Sequence, residues 1–296
     1  MRAVLFVIAS AVCFGTTGTA QAFGPDAASS AAVGLTRIVA GGALLGGVAW
    51  WAARRRGPVA LRPSRHQSWA VVVGGLAVLA YQPTFFAGAR LNGVAVAAVV
   101  TLGAAPVLTG LLEWATTRSV PRRTWFVGTA LAVVGVVLLS GLLETSGRSV
   151  SPAGLAGSLG AGLSYAVYTV AAKRLLVEGW SPTAAIGSVF GTAALLGAPF
   201  LLLVDLQWIA TGGGLLMVGW LAVVTVAAAY VLFGIGLQSL TAATVSTLTL
   251  VEPLTACVLG LALLDERLSV LGWAGLLVLL AGVSVLVRPQ RVEAAA

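Results

Sequence analysis

A chain of 296 residues that is 59% hydrophobic and 9% charged cannot clothe itself against water, since soluble domains carry roughly 25% charged residues. Its mean hydropathy of +1.01 makes hydrocarbon the main solvent and leaves no length for a soluble domain. The net charge of +8 would suggest nucleic acid for a soluble protein. Here it marks the loops that stay in the cytoplasm, and no nucleic-acid partner is expected.

A membrane-crossing helix needs about 20 apolar residues. Hydropathy predicts ten: 3–22, 33–53, 69–89, 93–115, 124–143, 153–172, 183–204, 213–236, 241–263 and 270–287. The first begins as a secretory signal does, with Met1-Arg2, an apolar core and Ala20-Gln21-Ala22 as a small-x-small site. Its polar stretch Thr16-Thr17-Gly18-Thr19 suits a cavity wall instead, and removal would leave an odd number of spans. The span is therefore expected to stay, with Thr16, Thr17 and Gln21 as candidate binding residues.

Gly24-Pro25-Asp26 turns the chain into the second span, with Arg37 at its expected outer end. Arg37 can snorkel to the interface, guard the outer mouth or pair with an anionic substrate group. Arg54-Arg55-Arg56-Gly57-Pro58 closes that span. The third carries Tyr81, Gln82 and Phe85 around Pro83, which should kink it. The fourth carries Glu113 near its inner end, expected to snorkel or to pair with Arg118 or Arg122. Pro121-Arg122-Arg123 precedes the fifth span. Ser164, Tyr165 and Tyr168 lie on the sixth, Ser181-Pro182 opens the seventh, and Tyr230 lies on the eighth.

The ninth span presents Ser246, Thr249 and Glu252 at three-residue intervals, hence on one helix face. A charged side chain at mid-membrane costs roughly 2.5–3.5 kcal/mol on insertion scales. Glu252 therefore reads either as a proton-coupling or cation-binding carboxylate, or as a hydrogen-bonded group shaping the kink at Pro253. Tyrosines, hydroxyls and amides facing inward are what a small-solute pocket uses, although they also serve as bonds between helices.

Small residues recur at four-residue spacing: Gly42 and Gly46; Gly154, Ser158 and Gly162; Gly187 and Gly191. Without a water-driven force, such faces let helix backbones approach closely. They are expected to be contacts within the chain, a homodimer seam being the alternative. Trp50, Trp51, Trp69, Trp114, Trp125, Trp208, Trp220 and Trp273 lie at span ends and read as interfacial anchors.

With the amino terminus inside, the inner joints and tails hold Arg2, Arg54, Arg55, Arg56, Arg62, Arg65, Arg118, Arg122, Arg123, Lys173, Arg174, Arg288 and Arg291. Only Arg37, Arg90, Arg148 and Arg267 fall at outer ends, together with Asp26, Glu144, Asp205, Asp265 and Glu266. Both termini are expected in the cytoplasm.

The halves repeat at an offset near 150. Ala43-Leu44-Leu45-Gly46 matches Ala194-Leu195-Leu196-Gly197, and Phe14-Gly15-Thr16-Thr17 falls on Tyr165-Ala166-Val167-Tyr168. Gly93-Val94-Ala95-Val96-Ala97, leading to Pro106, matches Leu240-Thr241-Ala242-Ala243-Thr244, leading to Pro253. Five spans per copy is an odd number, so the second copy enters from the opposite side and gives an inverted repeat. The expected repeats are 1–146 and 147–296.

This pattern resembles the EamA module of the drug/metabolite transporter superfamily. The residues carrying the resemblance are Leu35-Thr36-Arg37-Ile38, Ala89-Arg90-Leu91, Leu248 to Leu254 and Asp265-Glu266-Arg267-Leu268, with the small-residue last span from Gly272 to Gly282. The resemblance implies an all-α, ten-helix carrier with a central cavity between two inverted five-helix repeats. It also implies export of metabolites, amino acids or drugs by alternating access, with importers and facilitators in the same family. The first copy departs from the second by having Ala105-Pro106 where the second has Glu252-Pro253.

An enzyme is not expected. The only histidine, His66, lies in a basic joint, and neither HExxH nor GxSxG occurs. No metal or cofactor is expected. Cys13 and Cys257 sit in apolar runs and supply no disulfide or metal framework. No phosphate-binding GxxxxGK[ST] loop is present, which leaves proton or ion coupling, or facilitation. An oligomeric channel would need a polar stripe or charged ring. A single mid-membrane carboxylate favours neutral, zwitterionic or monocationic solutes over phosphorylated ones.

Overall fold

A computed structural model of the protein describes residues 1–55, 63–143, 150–264 and 267–287. Outside them lie Arg56, Gly57, Pro58, Arg62, Glu144, Arg148, Asp265, Glu266, Arg288 and Arg291, and the expected repeat boundary at 146/147. The described residues are predominantly helical, without strands.

The first seven spans are α1 (Arg2–Ala22), α2 (Ser30–Arg55), α3 (Arg65–Asn92), α4 (Val94–Thr117), α5 (Arg123–Leu139), α6 (Pro152–Val177) and α7 (Pro182–Gly197), which continues as a 3-10 turn to Leu203. The eighth span is α8 (Gly212–Ala222) and α9 (Ala229–Ser239), joined by a π-helical turn over Val223–Ala228. The ninth is broken into α10 (Ala242–Leu248) and α11 (Val251–Leu263), and the tenth is α12 (Val270–Val287). Among the described residues nine of these stretches are long and apolar enough to cross a membrane, and α5 is the shorter tenth.

Local chemistry sets the ends. Ser64 and Gln67 form a reciprocal capping box on α3. Pro152 and Pro182 open α6 and α7, where a missing N–H costs nothing. Gly93, at φ 87°, joins α3 to α4 in one residue, a conformation that side chains with a Cβ resist. α3 runs on as a helix through Pro83, with the Thr84 hydroxyl donating to the Ala80 carbonyl at 2.7 Å. The expected kink is not a break in the helix.

Pro253 acts more strongly. Lacking an N–H, it cannot donate to the Thr249 carbonyl, which accepts instead from the Glu252 amide at 2.9 Å. The helix ends there and restarts with Pro253 in the first turn of α11, where no donor is required.

The spaced small residues form helix seams. A Cβ added to Gly46 would stand 2.9 Å from the Gly191 Cα, joining α2 to α7, and Gly162 lies against the Thr101 backbone of α4. α5 and α12 meet in the same way, Gly135 against the Leu279 backbone and Gly275 against Leu139. Close backbone approach of this kind replaces the hydrophobic effect inside lipid.

Packing sorts the spans into two bodies. α3, α4 and α6 pack on one another; α1 packs on α9 and α11 of the eighth and ninth spans. The pairs α2–α7 and α5–α12 flank them. Exchanging each span for the one five places along turns the first body into the second and maps each flanking pair onto itself. Two five-span repeats that have traded their first helices, α1 and α6, would pack in this way.

Candidate functional site

Between the two bodies, near mid-membrane, lies a cavity of about 80 Å³. The first body contributes Val78, Tyr81, Gln82, Leu102, Ala105, Tyr165 and Tyr168. The second contributes Phe14, Tyr230, Ser246, Thr249, Leu250 and Glu252, and α2 adds Arg37 and Ile38. The chain has four tyrosines, and all four line this space.

Two hydrogen bonds cross the cavity wall from body to body. The Tyr165 and Thr249 hydroxyls are 3.0 Å apart, and those of Tyr168 and Tyr230 are 3.3 Å apart. Rings stack behind them: Tyr230 lies 4.8 Å from Phe14 and 4.0 Å from Phe190, centroid to centroid. This aromatic packing fixes the positions of the hydroxyls.

The charged pair is set by two helix irregularities. Glu252 stands in the first turn of α11, at the mid-membrane break. Its side chain therefore lies at the positive end of a helix dipole and on the cavity wall. Arg37 faces the π-helical turn of the eighth span and donates from Nη2 to the Thr225 carbonyl at 3.5 Å. Turns of this type frequently sit at functional sites. The Arg37 Nε is buried without a protein acceptor. Among the described residues the one salt bridge is Arg174–Glu178, so Arg37 and Glu252 share a cavity without forming an ion pair.

Of the residues singled out from sequence, Arg37, Tyr81, Gln82, Tyr165, Tyr168, Tyr230, Ser246, Thr249 and Glu252 are brought together here. Arg37 lines the cavity, because α2 starts at Ser30 and carries it two turns into the helix. Thr16, Thr17, Gln21 and Phe85 lie off the wall. Thr16 donates to the Cys13 carbonyl and accepts from the Trp220 indole at 3.0 Å. Thr17 donates to the Phe14 carbonyl, Gln21 is exposed, and Phe85 stacks behind Tyr81.

Sequence reasoning missed Phe14, Ile38, Val78, Leu102, Ala105 and Leu250, all apolar and without a signal that separates them from the core. Three other expectations are corrected. Glu113 neither snorkels nor meets Arg118 or Arg122; it accepts from the Ala242 and Ala243 amides at 2.8 and 2.9 Å. Trp125 is buried and donates to the Ala243 carbonyl at 3.0 Å. Trp208 is buried too and donates to the Asp205 carbonyl. Neither indole is an interfacial anchor.

Known proteins point the same way. The model of the EamA-like transporter family matches residues 1–141 and again 152–288. The "Uncharacterized transporter YwfM" of Bacillus subtilis (strain 168) is 35% identical over 285 residues, covering 95% of this chain and 92% of the relative. One solved crystal structure superposes with a TM-score of 0.78 over 96% of both chains; at 20% identity it speaks for the fold alone. With two successive family matches, nine membrane-length apolar helices and a shorter tenth among the described residues, and a cavity between exchanged bodies, the chain belongs to the EamA-like transporter family.

Proposed function

We propose that the protein exports small zwitterionic metabolites of the amino-acid class across the cytoplasmic membrane by alternating access. The observation that carries this reading is that the Arg37 guanidinium and the Glu252 carboxylate line one small cavity without forming an ion pair. Each is expensive in lipid without a partner, and a zwitterion supplies both partners at once. Arg37 holds the carboxylate of the solute and Glu252 its ammonium, with the tyrosine hydroxyls adding hydrogen bonds and the rings an apolar wall. One cation is too few for a sugar phosphate or nucleotide.

On this reading the basic joints face the cytoplasm with both termini, and the repeats divide near residue 146. The protein works as a carrier with no cofactor, its partners being the solute and the bilayer. The test is counterflow in vesicles holding purified protein and a labelled amino acid. The intact zwitterion is expected to compete at least tenfold better than its decarboxylated amine or its N-acylated acid. Tight binding of a phosphorylated solute, or equal competition by all three analogues, would overturn the assignment.

A further inference from the structure

Among the described residues two half-buried charged side chains take no part in the cavity: Glu113 on α4 and Lys173 on α6. Both are half-buried at the end of the molecule that carries the amino terminus, and both reach the same place, the joint between α9 and α10. Lys173 donates from Nζ to three carbonyls: Leu237 at 2.8 Å, Gln238 at 3.3 Å and Leu240 at 2.8 Å. These lie at the C-terminal end of α9, where carbonyls lack helical partners and the dipole is negative. Glu113 accepts from the first two amides of α10, where donors lack partners and the dipole is positive. Each ion thus caps the helix end of complementary polarity, and the two together grip one hairpin from both sides.

The grip joins the two bodies. Glu113 and Lys173 belong to the first, and α9 and α10 to the second. One turn deeper, the Thr109 hydroxyl of α4 bonds Ser246 of α10 at 3.3 Å. The packing of the bodies on each other follows the same line: α4 on α10, α6 on α9 and α6 on α10. The other halves of the eighth and ninth spans, α8 and α11, pack instead on α1, α2 and α12. The bodies are therefore zipped together from mid-membrane to the amino-terminal side.

We infer that Glu113 and Lys173 form the inner gate of the carrier, a latch that must release the α9–α10 joint before the cavity opens to the cytoplasmic side. Five charge-assisted hydrogen bonds hold the joint. Each is stronger than a neutral bond, and all are lost when the bodies part at this end. The latch thereby biases the protein toward the arrangement closed inside. The inference uses the carrier reading but not the identity of the solute.

The test places spin labels across each mouth of purified protein in lipid nanodiscs, in a background with Cys13 and Cys257 replaced by serine. Labels at Thr117→Cys and Ser239→Cys report the inner mouth, and labels at Leu91→Cys and Leu263→Cys the outer. Without substrate, the latched protein is expected to give a dominant short inner distance. Lys173→Met and Glu113→Gln should each raise the long-inner, short-outer population about tenfold or more. Lys173→Arg, which keeps a cation and its donors, should restore the original distribution. Thr109→Val, which removes one hydroxyl at nearly constant volume, gives a smaller shift in the same direction and serves if either charge variant fails to fold. Unchanged inner distances in folded latch variants would overturn the inference. Because no solute enters the measurement, a wrong substrate assignment leaves its outcome untouched.

Discussion

At the scale of single residues, Arg37 and Glu252 carry the proposed chemistry, and their removal should have separable effects. Arg37→Met removes the group assigned to the carboxylate of the solute. Zwitterion counterflow should fall about 100-fold, the worth of one or two charge-assisted hydrogen bonds. The decarboxylated amine should lose little, so the ratio of amine to zwitterion competition inverts. Glu252→Gln should do the reverse, weakening both the zwitterion and the amine while sparing the N-acylated acid. Arg37 also donates to the Thr225 carbonyl, and a purely structural loss would depress all solutes alike. The competition ratio tells these outcomes apart, and an unchanged ratio in Arg37→Met would remove the guanidinium from the binding site.

At the scale of elements, the seams depend on the absence of a Cβ. At Gly135 an added Cβ would stand 2.5 Å from the Leu279 backbone nitrogen, whereas at Gly219 in α8 nothing lies within 4 Å. Gly135→Ala should therefore push α12 from α5 and cost about 1–3 kcal/mol, the usual penalty of overpacking. Gly219→Ala should be neutral or slightly stabilising, since alanine favours helix. Thermal unfolding of the two variants in detergent, read by intrinsic tryptophan fluorescence, compares them directly; equal midpoints would deny the seam its role. The α2–α7 seam and the α6 seam are legible in the sequence because small residues at four-residue spacing leave a direct imprint; the α5–α12 seam, whose glycines stand seven apart, is not. Nine of the expected crossings are legible because a run of about twenty apolar residues matches the thickness of the hydrocarbon core and little else. The break at Thr249-Leu250 is only half legible, because Pro253 announces a lost donor but not where the chain restarts. The π-helical turn leaves no mark at all in Val223–Ala228. Glu113 escapes for a different reason. Its partners lie 129 and 130 positions away, and a local reading offers a carboxylate only its local cations.

At the scale of the whole molecule, the inverted repeat makes a commitment about a second conformation. The zipped contact between α4 and α10 joins the C-terminal half of the fourth span to the N-terminal half of the ninth. Exchange of the repeats turns it into a contact between the C-terminal half of the ninth span and the N-terminal half of the fourth. At the offset of 147 that aligns Gly93-Val94-Ala95 with Leu240-Thr241-Ala242, Ser246 corresponds to Val99 and Thr109 to Ala256. In the present structure Thr109 and Ser246 touch, while Ala256, one turn beyond Glu252 in α11, is exposed. If the halves exchange roles during transport, Ala256 and Val99 come together as Thr109 and Ser246 separate. Two cysteine pairs then trap two different states, since a disulfide forms only when Cα atoms approach to about 4.4–6.8 Å. In a background without Cys13 and Cys257, Thr109→Cys with Ser246→Cys should cross-link readily in the resting protein. Val99→Cys with Ala256→Cys should cross-link slowly at rest and at least several-fold faster once Lys173→Met has loosened the inner latch. Either bridge should stop counterflow, and reduction should restore it. A Val99–Ala256 bridge that forms equally fast with the Thr109–Ser246 bridge already closed would mean that the two ends open independently. The symmetry of the repeats would then be a property of the fold and not of its motion.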